Sequence, residues 1–330
     1  MTKFKFGVTR RKILTGSCSL LLLAGGAAFA DNGALQGKNL TWVVPYPPGG
    51  TTDVLGRNIA QQIAPELEAR VIVDNRPGAT GTIGASQVAR AAPDGLTVLG
   101  TSIGPQAIAP HIMTLPYDAV EAFSPVITVG MVPHLLVIGA DLPFQSVKDL
   151  VQKGVAEPES LAFASGGTGT ILQMQGELLQ QQTGARFIHV PYKGDTPALQ
   201  DTLGGQVQFM FAPVSAALPH VQSGRLRALA TTSAERLPAL PNVPTMAEAG
   251  FQDFVVSQWQ AVFVPAGTPA EIIKELNAVI GKALETDAVR EMAEKLGISL
   301  VGGSPEDLDQ LRRSDFEKWG KVIREAGIKG

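Results

Sequence analysis

The stretch "WVVPYPPGGTTDV", Trp42 to Val54, gathers residue types suited to holding an anion. Prolines fix the backbone, glycines let a ligand approach the chain closely, and Thr51, Thr52 and Asp53 are residues that begin helices. Free N–H groups at a helix start, with the positive end of the helix dipole behind them, favour negative charge. A second stretch of the same kind, "ASGGTGT" from Ala164 to Thr170, lies more than a hundred residues on. Two such termini closing on one molecule would suit two carboxylates, or one carboxylate and another acceptor.

Other chemistries find little support. "GATGTIG" lacks the G-x-G-x-x-G spacing of dinucleotide sites, and "GGTGT" has no following Lys-Ser or Lys-Thr for a P-loop. His111, His134, His189 and His220 show no metal-ligand spacing, and Ser165 has no G-x-S-x-G elbow. No cofactor or metal is expected, and no catalytic residue.

The elements that must position these loops repeat one grammar. From Asn39 the pattern reads strand, loop, helix (about Asp53 to Ile63), strand "RVIVDN", loop "RPGATGT", helix (about Ile83 to Ala91) and strand "LTVLGTS". A second series of strands and helices starts at "LAFAS" near Leu161 and ends at "RLRALATT". Between them Ala122–Ala140 is apolar, β-branched and too long for one ordinary strand, with breaks expected at Gly130 and Pro133. "VVSQWQAVFVPAGTP", Val255 to Pro269, offers a return crossing, after which only helices are expected. The fold class is therefore α/β, with each of two lobes a β-sheet flanked by helices and two crossover strands between them. Residues 31–130 with 255–330 form lobe one, and residues 131–254 form lobe two. Each Gly-rich loop then lies at the carboxyl end of a parallel strand, the edge where open α/β sheets bind ligands.

Residues 1–30 read as a secretory signal: a basic start, an apolar core, and Ala28-Phe29-Ala30 for cleavage. Arg10-Arg11 resembles a twin-arginine signal, and a Sec signal of basic composition fits the same residues. Cys18, the single cysteine, lies inside this leader, so the exported chain has no disulfide or thiolate chemistry. The sequence holds 27 basic and 30 acidic residues, five of the basic ones and none of the acidic ones in the leader; the remainder carries a net charge of −8. Such a balance excludes nucleic acid and anionic membrane surfaces as partners.

"VVPYPPGGTTDVLGR", "VDNRPGATGTIGASQVARAAPDG", "FASGGTGT", "HVPYKGDTPALQDTLGGQVQFMF", "GRLRALATTSAERLPALPNVPTMAEAG" and "WQAVFVPAGTP" follow one another in an order that resembles the tripartite tricarboxylate transporter substrate-binding proteins, the Bug or TctC family. The resemblance spans about Leu40 to Pro269. It implies a periplasmic, monomeric binding protein of the type II, Venus-flytrap form, whose interlobe cleft takes a small organic acid for membrane transporter subunits. That acid is a di- or tricarboxylate, an amino acid or an aromatic acid. A periplasmic sensing module for a membrane signalling partner would use the same fold. Carried onto this chain, the ligand-binding positions are Tyr46, Pro47, Gly49, Gly50, Thr51 and Asp53, then Ser165, Gly166, Gly167, Thr168 and Thr170, then Lys193 and Gly194 of "PYKG", and Trp259. Tyr46 stands where Phe is frequent, Gln173 where His often stands and Gln208 where an acid is common; Tyr46 and Gln173 are close enough to the pocket to alter its ligand. Asp53 has three open roles: helix cap, partner of Arg57, or holder of an ammonium group. Lys193 pairs with a carboxylate or lies solvated, Trp259 packs at a hinge or touches ligand, and Arg76 anchors its loop to carbonyls.

Overall fold

The computed structural model describes residues 1–3, 5 and 33–329. The export signal and its cleavage site lie outside the described residues. From residue 33 the chain forms one compact unit. It runs β1 (Leu40–Val44), α1 (Thr51–Glu66), β2 (Val71–Asn75), α2 (Thr82–Ala89), β3 (Thr97–Ser102), β4 (Phe123–Gly139), α3 (Val147–Ala156), β5 (Ala162–Ser165), α4 (Ile171–Thr183), β6 (Ile188–Pro191), α5 (Asp195–Leu203), β7 (Phe209–Pro213), α6 (Val214–Gln222), β8 (Leu226–Thr231), β9 (Ser257–Pro265), α7 (Ala270–Leu284), α8 (Asp287–Lys295), β10 (Ser299–Gly302) and α9 (Pro305–Ala326).

β1 lies between β2 and β3 and is parallel to both, while β9 is antiparallel to β3 and to the first part of β4. In the second group β5 lies parallel between β6 and β7, and β7 and β8 flank the last part of β4. β4 belongs to both groups. Its residues from Phe123 to Pro133 pair with β9, and those from His134 onward pair with β7 and β8. The breaks expected within this segment do not end the strand, which runs unbroken for 17 residues. Gly130 sits beside a register shift, and Pro133, which has no N–H to give a ladder, stands where β4 changes partners. On the return path Val256 donates to Thr232 O (3.0 Å) just before β9 begins.

Side-chain alternation divides the core. Trp42 and Val44 face one apolar cluster with α1, α7 and α8, whereas Val43 and Leu99 face the other, which continues through β4 into the second group of strands. Trp319, Val322 and Ile323 of α9 belong to that second cluster, so the last helix packs on both groups. The tail is not wholly helical, since β10 pairs antiparallel with β4 between α8 and α9. Among the described residues no helix is long and apolar enough to cross a membrane.

Candidate ligand-binding site

The loop after β1 is held by Asp53. Its carboxylate accepts from the Gly49 N–H (2.8 Å), Arg57 Nε (3.1 Å) and Asn75 Nδ2 (2.8 Å), the last arriving from the end of β2. Burial works to raise its pKa, but the hydrogen bonds from Arg57, Gly49 and Asn75, with the charge of Arg57, outweigh that and hold it below the usual carboxylate range. Asp53 thus braces its own loop and pairs with Arg57. No side chain caps α1, which leaves the N–H groups of Thr51, Thr52 and Asp53 without an acceptor among the described residues. Pro47, Gly49 and Gly50 are exposed beside them, and Thr51 is half-buried.

The loop after β2 carries four successive residues with positive φ: Gly78 (128°), Ala79 (45°), Thr80 (55°) and Gly81 (88°). Two of them are not glycine, a strained arrangement of the kind that clusters at binding sites. Arg76 pairs with Asp74 Oδ2 (2.8 Å) in solvent, so its guanidinium does not anchor the loop to carbonyls. The π-helical turn after β3, Gly104–Ile108, packs against this loop. A Cβ on Gly104 would stand 3.1 Å from the Tyr46 hydroxyl and 3.3 Å from Thr80 O. Tyr46 in turn shares a 2.7 Å hydrogen bond with Ser102 Oγ, and burial pushes its phenol pKa up.

The loop after β5 closes the site from the other side. A Cβ on Gly169 would stand 3.0 Å from Ile112 Cδ1 and 3.9 Å from Thr80 Oγ1, so loops from the two strand groups touch. Thr170 caps α4: its Oγ1 donates to Gly167 O (2.8 Å) and accepts from Gln173 N–H (3.4 Å). Buried Gln173 turns back to accept the Gly169 N–H at 2.8 Å. The Gly166 and Thr168 N–H groups have no acceptor among the described residues. Gly194 (φ 114°) donates to Gly166 O (3.0 Å), bringing the "PYKG" turn onto the loop, while Lys193 is exposed.

Trp259 lies elsewhere. It is fully buried, and its Nε1 donates to Asp315 Oδ2 (2.9 Å) on α9. Its neighbour Gln260, on the opposite face of β9, reaches the first loop and accepts from Thr52 Oγ1 at 2.8 Å. Thr80, Ser102, Gly104, Ile112 and Gln260 were not singled out from the sequence. The "GATGT" run was the one available signal, because its glycines follow a strand end.

Ser165 Oγ stands 2.7 Å from His189 Nε2, a pairing that invites a nucleophile reading. The hydroxyl, however, is fully buried, donates to Gly167 O (3.0 Å) and also accepts the Gly167 N–H (3.2 Å). With its one proton given to Gly167, the remaining lone pair takes the His189 N–H. The pair braces the loop. Two hollows, of about 1170 and 1070 Å³, lie between β4, α7 and α9 and between α6, α7 and β10, away from these strand-end loops.

An α/β chain whose strand-end loops meet across a seam and offer uncapped N–H groups has the form of a periplasmic binding protein. The chain belongs to the tripartite tricarboxylate transporter family receptors, whose family model matches residues 55–328. It is 39% identical to protein BugT of Bordetella pertussis over 93% of this chain and 94% of that protein. Among solved structures it is similar to R. palustris Rpa4515 with adipate, at TM-score 0.78 and 35% identity over 88% of this chain and 98% of that one. MatC from Rhodopseudomonas palustris with bound malate is also similar, at TM-score 0.75 and 32% identity over 86% and 98%.

Proposed function

We propose that this chain is an exported, periplasmic solute-binding protein that captures a small organic carboxylate without altering it and delivers it to membrane subunits of a tripartite tricarboxylate-type transporter. The observation that carries the reading is the convergence of strand-end loops from both groups of strands, with free N–H groups at the start of α1 and at Gly166 and Thr168. Backbone donors and a helix dipole favour an anion without adding a mobile charge. The adipate and malate seen in the two similar structures are carboxylates, which agrees with that chemistry. In this reading residues 31–130 with 255–330 and residues 131–254 move as two lobes. β4 bends where it changes partners at Pro133–His134, and the return path bends beside Val256.

The test is a thermal-shift and calorimetric screen of residues 31–330 against di- and tricarboxylates, amino acids and aromatic acids. A ligand at 100 times its Kd raises stability by about 2.7 kcal/mol. X-ray scattering of the same samples should show a smaller radius of gyration with ligand. A panel in which no acid shifts the protein, or in which a bound acid is recovered chemically changed, would sink the reading.

A further inference from the structure

One carboxylate beside the loop after β5 has no partner among the described residues. Asp195 is the first residue of α5 and presses on Gly166 so closely that a Cβ there would stand 2.1 Å from Asp195 Oδ1. The Gly194 N–H to Gly166 O bond clamps the two segments together. The Asp195 side chain caps nothing in α5, accepts no hydrogen bond and has no basic group within 4.0 Å among the described residues. Water reaches it, yet enough protein surrounds it that desolvation raises its pKa, against the lowering expected at a helix start.

The free N–H groups of Gly166 and Thr168 favour an anion beside this negative charge. A plain dicarboxylate would bring its charge against Asp195. A ligand bearing an ammonium group next to its carboxylate would satisfy both. The geometry points to Asp195 as the residue that selects among carboxylates, receiving the ammonium group of an amino acid whose carboxylate sits on the loop N–H groups. This rests on the carboxylate-binding function proposed above.

Matched acids separate the two claims: aspartate against succinate, glutamate against glutarate, and phenylalanine against 3-phenylpropanoate, titrated calorimetrically into the wild-type protein and Asp195→Asn. For the pair that fits the pocket, the amino acid should bind at least tenfold more tightly than its des-amino partner. Asp195→Asn should bring that ratio close to one, chiefly by weakening the amino acid, with an unchanged melting temperature. Binding of both members with a ratio that the variant leaves unchanged, or a preference for the des-amino acid, overturns the role of Asp195 alone. Absence of binding by every acid overturns this inference together with the function it rests on.

Discussion

The hydroxyl of Tyr46 and the Oγ of Ser102 share a 2.7 Å hydrogen bond that ties the loop after β1 to the end of β3. Through Gly104 the same phenol touches the strained loop at Thr80, and Thr80 faces Gly169 from the second group of strands. Three strand ends on one side of the seam are thereby set against one on the other.

Tyr46→Phe removes that bond and leaves a buried Ser102 hydroxyl to find a new partner. The expected loss is about 1–2 kcal/mol of folding stability, the scale of one hydrogen bond plus an unsatisfied group. Urea denaturation checks it; a variant as stable as the parent would mean the bond braces nothing.

The two glycines that face ligand in the proposed site should respond differently to bulk. Gly50 has φ −75°, and a Cβ there would meet only Pro47 O at 3.6 Å, so Gly50→Val should fold, cost at most about 1 kcal/mol as a poorer N-cap, and lose ligand affinity. Gly167 has φ 138°, and its Cβ would stand 3.3 Å from Tyr192 O. Gly167→Val should lose both affinity and about 1–3 kcal/mol of stability. Calorimetry and denaturation on both variants separate the effects. Full affinity in Gly50→Val would make the first loop a mere connection.

Thr170→Ala deletes the cap of α4, because the hydroxyl is engaged with Gly167 O and Gln173 N–H. Stability should fall by about 1 kcal/mol. Thr170→Ser, which keeps the hydroxyl, should recover most of it in the same thermal scan.

Acid should weaken the fold through two kinds of group. Burial pushes the His189 pKa down to about 4, below the ordinary value near 6.5, so the unfolded chain takes up a proton that the folded chain refuses. Its cost is absent above about pH 6.5 and grows as the pH falls toward 4. Fully buried His134, with Nε2 unpartnered among the described residues and a pKa pushed down to about 3, adds in the same direction. His189→Gln should flatten the stability profile between pH 6 and 4 by up to about 1.4 kcal/mol per pH unit. Asp53 acts lower on the scale: its depressed pKa gives stability that is fully present above about pH 4 and is lost as the pH falls through the folded value. Asp53→Asn should therefore cost stability at neutral pH and lose less of it in acid; parallel profiles for variant and parent would contradict this.

Much of the architecture is readable along the chain because it depends on near neighbours. β-branched runs ending in Pro, Gly, Thr and Asp mark strand, loop and helix start, and both Gly-rich loops fall at the carboxyl ends of β1 and β5 where the pattern places them. The β4 segment is less legible. Gly130 and Pro133 argue locally for breaks, yet β9 pairs across both and β10 backs Gly130 on the other side, which carries the strand through them. β10 is missed for a similar reason: four residues ending in glycine make a strand only because β4 offers an edge.

Within the candidate site, residue types alone determined that the loops suit an anion and that no metal or nucleotide motif is written into them. Tertiary structure decided which groups remain free. Asp53 is spent on Asn75 and Arg57, Gln173 on Gly169, Ser165 on His189, and Trp259 on Asp315, while Thr80, Gln260 and Asp195 enter from segments far along the chain. A side chain's type states what it can bond. Whether that capacity is left for a ligand depends on which distant strand ends the fold sets beside it.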